Sequence, residues 1–230
     1  MKTQSRVIIH VGINFISAPA PLITPQTLLQ LQQAVMTQGL EYNRVETLKN
    51  TISLFRDTPS PLQISVSSEE QMGQFLIVAP QPTGSLDLFI KEAEAAILAY
   101  ESVWQAPNRQ IIHADATIRQ LYETTSQHAF QELWENRLGQ PSQALSAFGR
   151  PIRGGGLRFV MDPVAEELPA QIEVKVESLL SDTTKIFVET QFTWPIPAAH
   201  QSSFNVKERI ETMNSYIEAH VQLFISGDKK

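Results

Sequence analysis

The strongest constraint in this chain is a repeated strand signature: Arg6-Val7-Ile8-Ile9-His10 returns as Arg109-Gln110-Ile111-Ile112-His113. Short apolar strands resemble one another through composition alone, so the order of the segments after each copy is the better test. Each copy leads into an amphipathic helix stopped by glycine, then strand-like stretches, then a longer helix. Ile64-Ser65-Val66 and Phe75-Leu76-Ile77-Val78 map onto Val174-Lys175-Val176 and Lys185-Ile186-Phe187-Val188 at an offset of 110. Ile97, Ala99 and Trp104 map onto Ile217, Ala219 and Phe224 at an offset of 120. A rise from 103 through 110 to 120 needs only small loop insertions in the second copy. The expectation is a duplicated α+β unit, residues 1–105 and 106–230, each reading β-α-β-β-β-β-α.

Local signals fill in that order. Alternation over 6–16 predicts a half-buried strand, and Thr24 before Pro25 is a helix start, with Leu28, Leu31, Val35 and Met36 as the apolar face and Gly39 as the stop. Strands are expected at about 41–48, 51–56, 62–67 and 74–80, then a helix capped by Ser85. The second copy predicts a strand at 109–122, a helix over 126–138, strands at 144–152, 156–162, 171–179 and 184–193, and a helix over 206–226 that opens on an Asn205/Glu208 capping box. The join at 105–108 is too short for a flexible linker, so the units should pack as one body. Two such units can extend one another's largely antiparallel sheet around a pseudo-twofold axis, with the helices on one face.

That order of elements resembles the duplicated saddle of TATA-binding-protein-like folds, a resemblance of topology. Phe75 to Pro80 leading into the 86–104 helix, the strand after Pro107, and the closing run Tyr216 to Asp228 also resemble a sporadically distributed family of uncharacterised bacterial proteins. That resemblance implies a fold and supplies no activity. The family's arginine- and glycine-containing strand is here Ile112 to Arg119, without the glycine.

Charge narrows the function. The saddle's use on DNA depends on a basic concave face and apolar wedges. This chain has net charge −6, divided as 6 basic and 9 acidic side chains in 1–105 and 12 and 15 in 106–230. A general phosphate-backbone binder is disfavoured. With no cysteine, disulfides and thiolate chemistry are excluded. No apolar run is long enough to span a bilayer, and Met1 to Arg6 leads into a strand rather than a signal-peptide core, so the expected location is cytoplasmic.

The best candidate site is Phe148 to Arg158, where Arg150, Arg153 and Arg158 supply planar donor forks and Gly154, Gly155 and Gly156 free the backbone for close approach. No acidic residue lies between Leu138 and Met161. The competing reading is a hairpin whose exposed strands carry arginines against aggregation, with glycines making the turn. Trp194, beside Pro195 and Pro197 at a strand end, is a further interface candidate, whereas Trp104 and Trp134 read as core. His10 and His113 are repeat-equivalent and Asp115 shares a face with His113, but three or four ligands are needed for a metal, and Gly12 stands where the second copy has Asp115. His200, His220 and the pairs Glu69/Glu70 and Glu166/Glu167 read as solvated positions. No nucleophile elbow, phosphate loop or metallopeptidase helix is present, and no cofactor is implied. The leading expectation is a non-enzymatic binding or adaptor protein with a protein partner. Next come a small anionic ligand or nucleotide near the arginine–glycine loop, and an enzyme with an acid/base site at His10, His113 and Asp115.

Overall fold

The computed structural model describes residues 1–106, 108–164, 170–194, 198–199 and 204–227. In chain order the elements are β1 (Lys2–Ala18), α1 (Pro25–Thr37), β2 (Arg44–Leu48), β3 (Thr51–Arg56), β4 (Leu62–Glu69), β5 (Met72–Pro80), α2 (Leu86–Val103) and β6 (Gln110–Glu123). They continue with α3 (Ala129–Gln131), β7 (Gly156–Met161), β8 (Gln171–Ser178), β9 (Lys185–Trp194), β10 (Ala198–Ala199), α4 (Val206–Tyr216) and α5 (Gln222–Ser226). Nine strands join antiparallel in the order β2-β3-β4-β5-β1-β6-β9-β8-β7, and the two-residue β10 adds to the end of β6. The fold is α+β.

Register explains the core. Val45, Leu54, Ile64, Ile77, Ile13, Ala116, Phe192, Ile172 and Met161 oppose one another in turn, one row crossing all nine strands. Side chains alternate in a strand, so every apolar partner in this row lands on the same face. Onto that face α2 lowers Ala93, Ala96 and Ala99, all fully buried, which lets the helix approach closely. Tyr100 then packs against Phe15 and Phe75, with ring centroids 5.8 and 5.2 Å apart. In the second half Tyr216 meets Phe192 at 5.5 Å and Phe224 meets Phe159 at 5.2 Å. Tyr100, Phe75 and Phe192, which are fully buried, each contribute about 1.5–3 kcal/mol.

The helix starts form as their sequences dictate. Thr24 and Thr27 exchange side-chain and backbone bonds at 3.1 and 2.9 Å, and Asn205 accepts from the Glu208 amide at 3.2 Å. Two expectations fail in the second half. The helix expected over 126–138 is three residues of α3 followed by a π-helical turn, Glu132–Arg137, in which the Leu138 amide reaches Leu133 O. The strand expected at 144–152 is a 3-10 helix, Ser142–Phe148, that follows Pro141 and ends at Gly149 with φ of 66°. No β-branched residue lies between Ser142 and Phe148, so the apolar residues there do not commit the segment to a pleated strand. Positions 107 and 195–197, His200 and the Glu166/Glu167 pair lie outside the described residues. Among the described residues no helix is long and apolar enough to cross a membrane.

A buried charge ties the π turn to β1. Glu132 is fully buried and accepts from the Met1 ammonium at 2.5 Å, the Thr125 amide at 2.8 Å and the Thr124 hydroxyl. Burial pushes its carboxyl up, but these hydrogen bonds and the ammonium charge more than reverse that and hold it down to about 2. Removing one partner of such a pair strands the other. Glu132→Ala is expected to destabilise the fold by about 3 kcal/mol, read as a lowered urea midpoint at pH 7; a midpoint equal to wild type would show that the pair carries no stability.

Candidate functional site

The Arg150 segment borders an open cleft of about 710 Å³. His128 caps α3 by accepting the Phe130 amide at 3.2 Å, which sets Phe130 and, one turn on, Trp134 along one wall, their rings 6.1 Å apart. Trp134 Nε1 donates to Pro141 O at 3.1 Å, fixing the indole against the start of the 3-10 helix. Leu145 and Ser146 form a second wall, and Arg150, Pro151 and Ile152 close the third. The result is a cleft with an aromatic wall, polar groups at Gln131, Ser142 and Ser146, and a guanidinium at its rim.

The glycines have a packing reason. A Cβ on Gly155 would come within 2.7 Å of the Phe130 ring, and one on Gly156 within 2.5 Å of Val176 O. Gly155 also exchanges hydrogen bonds with Ser178, its amide donating to Oγ at 3.1 Å and its carbonyl accepting the Ser178 amide at 3.0 Å. They seat the loop on β8 and on the aromatic wall rather than forming a hairpin tip.

The three arginines differ. Arg158 donates a bidentate pair to Glu173 at 2.9 and 2.6 Å across β7 and β8. Arg150 and Arg153 make no ion pair among the described residues. The neutralising acid lies on a neighbouring strand, fifteen positions away, which counting charges along the loop does not reveal. Two uncompensated guanidiniums therefore remain at the cleft end of the segment.

Trp194 is elsewhere. It is 6% exposed, packed edge-on against Phe204 at 6.1 Å, with the Arg209 guanidinium 4.6 Å over its ring. Gly155 lies beside Ser178, which opposes Ile186, so Trp194 sits eight residues along β9, roughly 26 Å at 3.3 Å per residue. Trp104 is core, whereas Trp134, read from sequence as core, is half-buried in the cleft wall. Phe130, Leu145 and Ile152 come together through a π turn where spacing suggests a regular helix and a 3-10 helix where it suggests a strand, so local sequence does not mark them as one wall.

The face of the sheet away from α2 carries a charge ladder. Arg119 bonds Glu189 at 2.6 Å, Glu189 bonds Lys175 at 2.7 Å, and Lys175 lies 3.2 Å from Glu173, which holds Arg158. Burial pushes Glu189 up, but the Lys175 and Arg119 bonds outweigh it and hold the carboxyl below its ordinary range. These charges satisfy one another.

Of the acid/base trio, two members meet. His113 Nε2 lies 3.2 Å from Asp115 Oδ2, which also accepts from Asn14 at 2.8 Å. His10 opposes Arg119 whereas His113 opposes Ile16, six residues further along β1, so the histidines are roughly 20 Å apart. Among the described residues no group of three or more acidic or histidine side chains could hold a metal. His220 packs against Tyr216, its ring tilted and 4.8 Å away, and Glu69 and Glu70 sit exposed at the β4–β5 turn.

No family model and no curated protein matches this chain.

Burial, then the positive charge of Arg119, lowers His10 from 6.5 to about 4. A depressed histidine contributes stability that is complete above 6.5 and is lost as pH falls towards 4, because the unfolded chain takes the proton first. Between pH 7 and 4, wild type should lose on the order of 3 kcal/mol that His10→Gln does not lose. Urea midpoints of both proteins at the two pH values measure this, and parallel losses would contradict the assignment.

Proposed function

We propose that this chain is a non-enzymatic binding protein that acts through protein–protein contact at the Trp134/Arg150 cleft. The observation that carries the reading is the pairing of an apolar aromatic wall with guanidiniums that no acidic side chain among the described residues neutralises. Everywhere along the neighbouring charge ladder, arginine and lysine already have carboxylate partners. Buried aromatic surface beside an arginine is the combination that dominates binding energy at protein interfaces. A second reading, a small anionic ligand in the same cleft, draws support from its volume, which lies within the range of small-molecule sites.

We also infer that the scaffold is a duplicated unit, 1–105 and 106–230, packed as one body. What supports this is the β1–β6 pairing. His10 opposite Arg119 and Ile16 opposite His113 lie three residues on either side of Ile13 opposite Ala116, and an offset of 103 carries one pair onto the other. The flanking order β5-β4-β3 beside β1 and β9-β8-β7 beside β6 has the same sense. In the second copy, the 3-10 helix Ser142–Phe148 and the cleft stand where the first copy has β2.

The test is retention of a partner by tagged protein purified from its own host. Arg150→Ala with Arg153→Ala should lower the stoichiometric retention of that partner at least tenfold, since a charge-assisted contact is worth about 1.5–3 kcal/mol, with the melting temperature unchanged; Trp134→Ala should lower retention as well, together with the melting temperature, because it also removes the Phe130 contact and the Pro141 bond. Equal retention by wild type and variants would overturn the reading. A small anion bound in place of a protein, raising the melting temperature of wild type alone, would favour the second.

A further inference from the structure

Among the described residues no strand lies beyond β7, so Gly156–Met161 is an edge of the sheet. One bond fixes the direction of its backbone groups. The Ser178 amide donates to Gly155 O, and Gly155 continues the register that pairs Gly156 with Glu177. Antiparallel pairs alternate, so Leu157, Phe159 and Met161 direct their N–H and C=O groups to β8, whereas Gly156, Arg158 and Val160 direct theirs outward. An edge of this kind is a template for another strand unless it is blunted. Here the one charged side chain on the edge, Arg158, is held by Glu173, while Val160 is 53% exposed and Phe159 37%.

Distinct recognition features lie at the two ends of this edge. Beside Phe159 and Met161, on the helix side, is an apolar pocket of about 160 Å³ completed by Tyr216, His220, Val221 and Phe224. The Tyr216 hydroxyl is already engaged with Met161 Sδ at 3.1 Å, so the pocket offers an incoming group mainly carbon. At the other end the same stretch of chain runs back through Arg153 and Ile152 to Arg150 in the cleft. Ile152 to Phe159 spans roughly 23 Å if extended, the reach of a peptide of about seven residues.

Resting on the binding reading above, we infer that the β7 edge takes an extended segment of a partner protein as an added antiparallel strand. The segment places an apolar side chain near its amino end in the Phe159/Phe224 pocket and an acidic carboxyl-terminal end at Arg153 and Arg150. Direction comes from the sheet, in which every pairing of the nine strands is antiparallel. Main-chain bonds to Arg158 and Val160 supply affinity, and the pocket and arginines supply specificity, the division of labour of strand addition. Residues of the segment opposite Phe159 face the helix side and those opposite Val160 face the charge ladder, so the side chains alternate between the two.

The probe is a fluorescein-labelled decapeptide with leucine near its amino end, alternating valine and threonine in the middle and two aspartates at its carboxyl end, titrated with the full chain and read by anisotropy. Wild type should bind it. Val160→Pro removes an outward N–H without touching the bonds to β8, a position an edge strand tolerates, and should weaken binding at least tenfold. Arg150→Glu with Arg153→Glu should do the same, as should moving the aspartates to the amino end of the peptide. If Val160→Pro lowers the melting temperature, N-methylation of the peptide at alternate residues gives the equivalent readout on wild type. Absence of wild-type binding, or full binding by a folded Val160→Pro, would overturn the inference. So would self-association through this edge abolished by Val160→Pro, which would give the edge to a second copy. Loss of the native partner in Arg150→Ala but not in Val160→Pro would overturn strand addition and leave the cleft reading standing; retention in both would remove both.

Discussion

The structure depends on the antiparallel join between β1 and β6. Twelve residues of β1 find partners on β6, and on either side of that seam the remaining strands are added outward by antiparallel pairing. Because side chains alternate with a period of two, a one-residue slip at this seam would send the apolar set on one side of it to the outer face and break the row through Ile13 and Ala116 that crosses the sheet. The seam is backed on the helix side by Phe15 and Tyr100, and pinned near one end by Glu132, the buried acceptor for the Met1 ammonium. Burial of the row and fixation of its register are the same event.

The two faces of the sheet then divide the chemistry. One is packed against the helices. The other carries a ladder in which Arg119, Glu189, Lys175, Glu173 and Arg158 alternate in sign, so its attraction for an external ion is largely spent internally. The exposed Arg158–Glu173 pair contributes little to stability by itself, about 0–1 kcal/mol; the effect of the ladder here is to leave Arg150 and Arg153 as the arginines of that segment with no carboxylate partner among the described residues. An edge strand, an aromatic cleft and a small apolar pocket meet along the same dozen residues, and this convergence distinguishes that edge from the β2 edge.

Much of the fold was legible because its signals are local or periodic. The strands of the first half, the Thr24, Ser85 and Asn205 caps and the apolar stripes of α2 and α4 arise from alternation, capping chemistry and 3.6-residue spacing. What could not be read has a common cause. The π turn at Glu132–Arg137 is stabilised by contacts to Met1 and Thr124, distant or non-helical in sequence, and the 3-10 helix at Ser142–Phe148 has an apolar content that fits a strand equally well. The arginines at Arg150 and Arg153 were visible as chemistry, but the aromatic wall facing them was not. Arg158 and Trp194 were grouped with them by residue type, and tertiary structure separates them: one is paired with Glu173, the other is buried at the far end of β9.

The measurement that bears most directly on the β7 edge is residue-by-residue amide exchange across that strand, with and without the acidic-ended peptide. In the free protein the amides of Arg158 and Val160 should exchange rapidly while those of Leu157 and Phe159 are protected by β8, and addition of the peptide should slow Arg158 and Val160 selectively. If those two amides are already protected in the free protein, or if protection appears on other strands and leaves β7 unchanged, the sheet edge does not take an added strand.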